Sequence, residues 1–303
     1  MRERAVVPEP EFESYYGKAI IKTPTWKTPD VPLYLFLGGL AGASSVLAEG
    51  AALSGNPALQ RIARSAAAGG AAAGTVALIH DLGRPERFLN MLRVFKVTSP
   101  LSVGSFILAP FAGLASAALA SDVTGLLPRL GRLAGVGAAV LGPPLATYTA
   151  ALICNTAVPA WHEAHREMPF VFAGSGAAAA GGLAMIAAPT AQAAPARRLA
   201  IAGAALEMGS MKVMHERLGM VGEPYEQGRP GRLLRLARGL TAGGAALSLM
   251  GRRSRVASAL SGAAYVAGSV LTRFGVFEAG IASAKDPKYT VVPQKDRLAH
   301  AAR

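Results

Sequence analysis

The 303-residue sequence contains one cysteine, five histidines and few charged residues. The single cysteine, Cys154, excludes an internal disulfide and any cysteine-ligated zinc or iron–sulfur centre in this chain. Charged residues make up 16% of the sequence, whereas soluble proteins have about 25%. A hydrophobic fraction of 51% excludes a largely disordered protein, because disordered chains are poor in apolar residues.

Long apolar segments contain most of the hydrophobic residues. A bilayer core of about 30 Å is crossed by about 20 residues of helix, and these segments have approximately that length. A soluble Ala-rich helical bundle is the alternative, but its helices should carry a charged face, and three segments (102–121, 133–154 and 170–188) carry no charge. The full set of segments is 31–53, 62–82, 102–121, 133–154, 170–188, 198–215, 236–250 and 256–277.

This pattern predicts an all-α membrane protein with eight transmembrane helices, which we expect to form two four-helix bundles. The expected parts are a polar N-terminal segment (1–30), a first bundle (31–169), a second bundle (170–280) and a polar C-terminal tail (281–303). Residues 1–30 lack the apolar core of a signal peptide, so we expect the first apolar segment to direct insertion.

Eight spans place the polar connections on two faces. Face A consists of the N-terminal segment, the loops around 83–101, 155–169 and 216–235, and the C-terminal tail. Face B consists of the short links around 54–61, 122–132, 189–197 and 251–255. Long polar loops are where a membrane protein meets a soluble partner, so we expect docking on face A. The net charge of +13 is explained by loops that face lipid headgroups, and we expect no nucleic-acid partner.

The five histidines all lie on face A or at helix ends that face it. A b-type haem is usually held by two histidines within the spans, so the sequence predicts no haem. His162, Glu163 and His165 could bind zinc, but their spacing fixes no third strong ligand. We expect this stretch, together with Trp161, to contact a partner subunit, and we expect no metal site.

The densest polar cluster, His80, Asp81 and Arg84, ends the second apolar segment. Gly83 ends the helix at this point. One interpretation is a capped helix end with an Asp81–Arg84 ion pair. The other is a polar site at the membrane edge where protons enter, because an ionisable residue at membrane depth usually has a function.

Three ionisable residues, Glu49, Glu207 and Arg273, lie well inside predicted spans. An unpaired buried charge is costly, so a Glu207–Arg273 ion pair between helices is the simpler interpretation. The alternative is a proton path through the membrane that uses all three residues.

Several motifs resemble those of the NrfD/PsrC family, the integral membrane subunits of polysulfide-reductase-like molybdoenzyme complexes. The resemblance runs through most of residues 14–285. It is carried by Asp-Leu-Gly-Arg-Pro at 81–85, Ser-Pro at 99–100, Gly-Ser at 104–105, Tyr-Tyr-Gly-Lys at 15–18 with Trp26, and Leu-Gly-Gly-Leu-Ala-Gly at 37–42.

The resemblance implies eight spans, no haem and a site for menaquinone or ubiquinone. It implies that an iron–sulfur subunit docks on the chain, and that a molybdopterin subunit is the catalytic partner. By resemblance, Tyr34 and Tyr148 hydrogen-bond the quinone carbonyls. Asp81, with His80, relays protons, and Arg84 keeps Asp81 ionised because an adjacent cation lowers a carboxyl pKa.

The positive-inside rule gives one orientation when all Lys and Arg residues are counted and the opposite orientation when only the short links are considered. Face A holds more Lys and Arg in total, which places face A in the cytoplasm. The short links of face B are almost purely basic, which places face B there instead. The resemblance implies that the docking face lies outside the cytoplasmic (inner) membrane, in agreement with the short links.

Together these features predict the quinone-reactive membrane anchor of a multi-subunit oxidoreductase, which is not catalytically complete alone. One alternative is a proton-translocating module coupled to quinone chemistry. The other is a purely structural anchor that binds no quinone. The substrate of the parent complex would be determined by another chain.

Overall fold

The computed structural model describes residues 20–84, 86–250 and 254–301, and within these ranges the chain is helical and contains no strand. Its long helices are α1 (Asp30–Leu53), α2 (Pro57–Asp81), α4 (Pro100–Thr124), α5 (Pro128–Cys154), α7 (Met168–Ala187), α8 (Ala194–Leu218), α9 (Gly228–Met250) and α10 (Arg255–Lys285). Three shorter helices are α3 (Arg87–Asn90), α6 (Pro159–Glu163) and α11 (Lys288–Ala301). The motif at 15–18 lies outside the described residues.

Local signals determine where the long helices begin and end. Proline occupies the first or second position of α2, α4, α5, α7 and α8, where a backbone N–H is not needed. Ser99 caps α4 by accepting a hydrogen bond from the Ser102 N–H. Gly125 ends α4 and Gly83 follows the end of α2, each with a left-handed backbone.

In the described part of the chain, six helices are long and apolar enough to cross a membrane: α1, α2, α4, α5, α7 and α10. These agree with six of the predicted spans. Helices α8 and α9 are equally long, but charged residues make them more polar. Membrane crossing by α8 and α9 therefore stays a prediction.

The long helices pack in two sets that have the same order of neighbours. In the first helix set, α1 contacts α2 and α5, and α4 contacts the same two helices. In the second helix set, α7 contacts α8 and α10, and α9 contacts the same two helices. Helix α7 joins the sets through α1 and α5, and α10 joins them through α1.

Glycine lets these helices approach until their backbones touch. A Cβ atom on Gly42 of α1 would lie 2.3 Å from the carbonyl oxygen of Gly142 in α5. Likewise, a Cβ atom on Gly262 of α10 would lie 2.3 Å from the carbonyl oxygen of Gly182 in α7. Close approach through small residues is how helices associate in lipid, where no hydrophobic force acts between them.

Polar contacts hold the loops of face A together. Arg217 at the end of α8 forms a bidentate ion pair with Glu167, with Nε–Oε1 and Nη2–Oε2 distances of 2.7 and 2.6 Å. The Arg217 guanidinium holds the pKa of the Glu167 carboxyl below its usual range. Lys288 of α11 pairs with Glu223 in the loop after α8, with an Nζ–Oε2 distance of 2.6 Å. These contacts place loops assigned to face A at one end of the helices.

Replacement of Gly42 by leucine should destabilise the fold, because the new side chain would collide with the α5 backbone. We expect the free energy of unfolding to fall by about 1–3 kcal/mol, the usual cost of overpacking. Gly69 of α2 has nothing within 4 Å of an added Cβ, so Gly69→Leu is the matched control. Thermal unfolding in mild detergent compares the two variants, and equal stability would contradict the close α1–α5 contact.

Glu167→Gln should destabilise the protein at neutral pH but not at low pH. The native pKa of Glu167 is depressed. Its stabilising contribution is therefore present above the unfolded pKa of about 4.3 and is lost as the pH falls through the native pKa. We expect a cost of about 2 kcal/mol at pH 7, typical of hydrogen bonds to charged groups.

The control for this variant is Glu216→Gln. Glu216 forms an exposed pair with Lys212, with an Nζ–Oε1 distance of 3.8 Å. Exposed pairs contribute about 0–1 kcal/mol, so this change should alter stability little at any pH. Unfolding measured between acid and neutral pH should separate the variants, and identical pH profiles would contradict the role of Glu167.

Candidate functional site

Two tyrosines meet between α1 and α5, close to face A. The ring centroids of Tyr34 and Tyr148 lie 6.5 Å apart in an edge-to-face arrangement, and both side chains are buried. Neither hydroxyl has a hydrogen-bond partner among the described residues. Each hydroxyl is therefore free to donate a hydrogen bond to a ligand oxygen.

All four helices of the first helix set surround the tyrosine pair. A Cβ atom on Gly104 of α4 would lie 2.0 Å from Cε2 of Tyr148, so glycine is required beside this ring. A Cβ atom on Gly74 of α2 would lie 3.8 Å from Cδ2 of Tyr34, which is ordinary contact. The Gly-Ser motif at 104–105 therefore has a structural reason, because its glycine makes space for Tyr148.

A polar cluster at the end of α2 lies close to the start of α1. His80 Nδ1 is 2.7 Å from Oδ2 of Asp30, which precedes Tyr34 by one helical turn. The backbone N–H of Lys27 donates to Oδ1 of Asp81 at 3.0 Å. The His80 side chain is 75% exposed and that of Asp30 is 14% exposed. The cluster therefore connects solvent on face A with the helix that carries Tyr34.

Two details of this cluster differ from the sequence-based expectation. Arg84 is exposed and forms no ion pair with Asp81 among the described residues. Gly83 between them has φ +69°, and this left-handed residue turns the chain away from the helix. Asp30 is an additional member, whose sequence signal is an acidic residue four positions before Tyr34 on the same helix face.

A cavity of about 300 Å³ opens beside His80 and is lined by Val76, Ile79, His80 and Gly83. Val76 is 66% exposed, so this cavity faces outward from α2. Its lining is apolar apart from His80. An apolar ligand with a polar head therefore has a place to rest against the outside of α2 with its head beside His80.

Trp161, one of the predicted docking residues, is fully buried. Its ring stacks on Trp26 with a centroid distance of 5.7 Å, and its Nε1–H donates to the Val276 carbonyl at 2.8 Å. Gly280 of α10 leaves room for the indole, because a Cβ there would lie 1.9 Å from Cε2 of Trp161. Trp161 thus anchors its loop in the core and has no surface with which to contact a partner, which corrects the expectation for this residue.

The neighbours of Trp161 remain accessible on face A. His162 and His165 are exposed and Glu163 is half-buried. His162 and Glu163 border a cavity of about 360 Å³ between the loop after α5, the N-terminal segment and α11. No group of three or more His, Cys, Asp or Glu side chains within the described ranges is arranged to hold a metal ion.

Glu49 belongs to an ion-paired triad in the first helix set. Its Oε1 lies 2.7 Å from Nη2 of the buried Arg64, whose Nη1 lies 2.8 Å from Oδ1 of Asp122. Gly135 makes room for the triad, because a Cβ there would lie 2.3 Å from Glu49 Oε1. Glu49 shares no contact with the other two predicted proton-path residues, which lie in the second helix set.

Glu207 and Arg273 do not form the expected ion pair. Glu207 Oε1 accepts a hydrogen bond from Thr272 at 2.6 Å, and Oε2 has no partner among the described residues. Arg273 donates to the backbone carbonyls of Leu35 and Phe172 at 3.3 and 2.8 Å. Adjacent residues on a helix point about 100° apart, so Thr272 faces α8 while Arg273 faces α1 and α7.

Comparison with known proteins gives one family. The family model described as polysulphide reductase, NrfD, matches residues 21–215, which is more than half of the chain. The match includes both tyrosines, the polar cluster and the loop around Trp161. The comparison with curated proteins finds no match. The chain therefore belongs to the NrfD family, as its motifs predict, and is a multi-pass membrane subunit of a polysulphide-reductase-type oxidoreductase complex.

Proposed function

We propose that this chain is the quinone-reactive membrane anchor of its complex and passes electrons between a docked iron–sulfur subunit and membrane quinone. The observation that carries the proposal is the pair of buried side chains, Tyr34 and Tyr148, whose hydroxyls have no hydrogen-bond partner in the described residues. A polar cluster that reaches solvent lies one helical turn away, and an apolar cavity opens beside it. These are the groups that a quinone head and its proton exchange require.

In this proposal the two tyrosines orient the quinone. Each hydroxyl donates a hydrogen bond to a carbonyl oxygen, and such positioning of reacting groups contributes strongly to rate. Electrons come from or go to the docked iron–sulfur subunit, since the sequence supplies no ligand set for a redox centre of its own.

Protons move through the cluster at the end of α2. Histidine is a common proton shuttle, and the His80 imidazole is exposed to solvent, so it can exchange a proton with water on face A. Asp30 shares a hydrogen bond with His80 Nδ1, at the turn before Tyr34. Asp81 is held in place by the Lys27 N–H and is the second carboxylate of this relay.

Face A is the proposed docking surface for the iron–sulfur subunit, beyond which a molybdopterin subunit would lie. His162, Glu163 and His165 present polar groups there, beside the cavity of about 360 Å³. The tyrosine pair lies near the same ends of α1 and α5, so a docked cluster would be close to the quinone head.

We further propose that all eight long helices cross the cytoplasmic membrane as two four-helix bundles, with face A outside. The shared order of neighbours in the two helix sets supports this, because α8 and α9 occupy the positions that α2 and α4 occupy in the first set. The short basic links of face B support the orientation.

Tyr34→Phe and Tyr148→Phe should each lower quinone-linked turnover about tenfold or more. Each change keeps the ring but removes one hydrogen bond to a quinone carbonyl, and a tenfold loss corresponds to about 1.4 kcal/mol. The complex is purified from its native membrane through a C-terminal tag and assayed with a quinone analogue. Turnover with a soluble electron acceptor that bypasses this chain should stay unchanged.

The matched control is Tyr265→Phe. Tyr265 of α10 is equally buried and its hydroxyl has no partner in the described residues, but it lies in the second helix set. The quinone-linked turnover of the Tyr265→Phe complex should equal that of the wild type. Full quinone turnover in Tyr148→Phe and in Asp81→Asn would indicate a purely structural anchor.

Mass spectrometry of the same preparation should find an iron–sulfur and a molybdopterin subunit, and a chain that purifies alone would contradict docking.

Glu207 favours a second function, a proton-translocating module coupled to quinone chemistry. Glu207 is 5% exposed and its Oε2 has no partner in the described residues. It borders a cavity of about 20 Å³ that also contacts Arg238, Thr241 and Thr272. That volume suffices for one water molecule, which could carry a proton to or from Glu207.

If Glu207 carries protons, Glu207→Gln should reduce the number of protons moved per quinone while turnover remains. The amide keeps the size of the side chain but cannot release a proton. A pH-sensitive dye in sealed vesicles that contain the complex measures the stoichiometry. The exposed Glu216→Gln on the same helix is the control, and an unchanged stoichiometry in Glu207→Gln would exclude this function.

A further inference from the structure

Helix α9 begins with a series of exposed arginines that have few anionic partners. Within the described residues, Arg232 and Arg238 form no ion pair or hydrogen bond. Arg235 donates to the backbone carbonyl of Glu226 at 2.8 Å, which leaves its charge uncompensated. Of these four arginines, only Arg229 pairs with a carboxylate in the described part of the chain, that of Glu278, with an Nε–Oε2 distance of 3.4 Å.

Further along α9, the same outer face carries the exposed Leu236 and Met250 together with four small exposed residues. The small residues are Gly239, Ala242, Gly243 and Ala246. Spacings of three and four place them in line with Arg232 and Arg235 on one side of the helix. A Cβ atom added to Gly239 or Gly243 would meet nothing within 4 Å. The outer face of α9 is therefore an apolar strip with a cationic end.

The three other Gly-x-x-x-Gly pairs of the sequence, at 38/42, 70/74 and 131/135, are used inside the fold. Gly42 meets the α5 backbone, and a Cβ atom on Gly70 of α2 would lie 3.2 Å from Cβ of Ala41 in α1. The pair at Gly239 and Gly243 thus differs from them because it faces outward and has no described helix of this chain against it. On α8, Lys212 and Glu216 pair with each other, and no carboxylate of α8 forms an ion pair with an arginine of α9 among the described residues.

We propose that this face of α9 binds an anionic phospholipid of the bilayer. The phosphate lies against Arg232 and Arg235, and an acyl chain lies along Gly239 and Gly243. This inference depends on the proposed crossing of the membrane by α9.

Charge and dimensions both support this ligand. The planar guanidinium matches phosphate oxygens in a bidentate geometry, and basic sites beside membrane helices bind anionic headgroups. At 1.5 Å per residue, Gly243 lies about 16 Å beyond Arg232 along the helix axis. This is about half of the ~30 Å hydrocarbon core, which is the depth that lipids of one leaflet reach. A second copy of the chain fits this face poorly, because two aligned arginine rows repel each other.

The test uses the purified complex in neutral detergent, titrated with phosphatidylglycerol or phosphatidylcholine and observed by native mass spectrometry. The wild type should bind phosphatidylglycerol more tightly than phosphatidylcholine. The double variant Arg232→Gln/Arg235→Gln should lose about tenfold or more in affinity for phosphatidylglycerol, since each arginine near a membrane surface contributes appreciably to the attraction. Arg129→Gln/Arg132→Gln, which removes two exposed arginines at the start of α5, is the matched control and should keep wild-type affinity.

A second variant, Gly243→Leu, fills the strip without changing any charge. The open space around Gly243 lets the fold accept this side chain. It should weaken phosphatidylglycerol binding while thermal stability remains. Equal affinity for the two lipids in the wild type would overturn the proposal, as would a membrane helix of another subunit found cross-linked to Gly243→Cys. Competition by inorganic phosphate without any lipid preference would also overturn it, because it would indicate a simple anion site.

Two further readouts separate this inference from the proposed function. Quinone turnover of Arg232→Gln/Arg235→Gln should stay at the wild-type level, because neither residue contacts the tyrosine pair. Gly243→Cys in sealed vesicles should resist a water-soluble maleimide. Rapid labelling would show that α9 lies outside the bilayer, which would contradict the eight-span arrangement and this lipid site but not the quinone site of the first helix set.

Discussion

Contact between helix backbones is the constraint on which the rest of this structure depends. Lipid tails are as apolar as the helix surfaces, so the helices associate through close packing and polar contacts. Gly39 of α1 and Gly176 of α7 show this where the two helix sets join, since a Cβ on Gly176 would lie 2.8 Å from the Gly39 carbonyl oxygen. The same kind of contact, through Gly42, sets α1 against α5. This contact between α1 and α5 also sets the distance between the Tyr34 and Tyr148 rings.

Arg273 acts at the same junction. The side chain is completely buried, donates to carbonyls of α1 and α7, and has its Cζ 3.7 Å from the centroid of the Phe172 ring. Carbonyl dipoles and the face of an aromatic ring stabilise this cation, which forms no ion pair among the described residues. One of its acceptors, Leu35, directly follows Tyr34, so α10 of the second helix set helps to fix the helix that carries the site.

The distribution of polar groups follows from the cost of burying them. Titratable groups concentrate on face A, where water reaches them and where the proposed electron and proton transfers take place. Inside the fold, a buried charge needs a partner. Glu49 has one in Arg64, whereas Glu207 retains an oxygen without a partner in the described residues. That difference is the reason why the proposed proton-translocating function depends on Glu207.

The sequence by itself determined the position of the long helices and the family, because apolar length and short motifs are local properties of the chain. The uncharged segment 133–154, for example, lies within one helix of the structure. Only the tertiary structure decided which side chains meet. Asp30 and His80 are far apart in sequence and pair through the packing of α1 on α2, whereas Glu207 and Arg273 do not pair. The physical reason is that one residue turns a helix by about 100°, and helices that are apolar on every side carry no pattern that fixes this rotation.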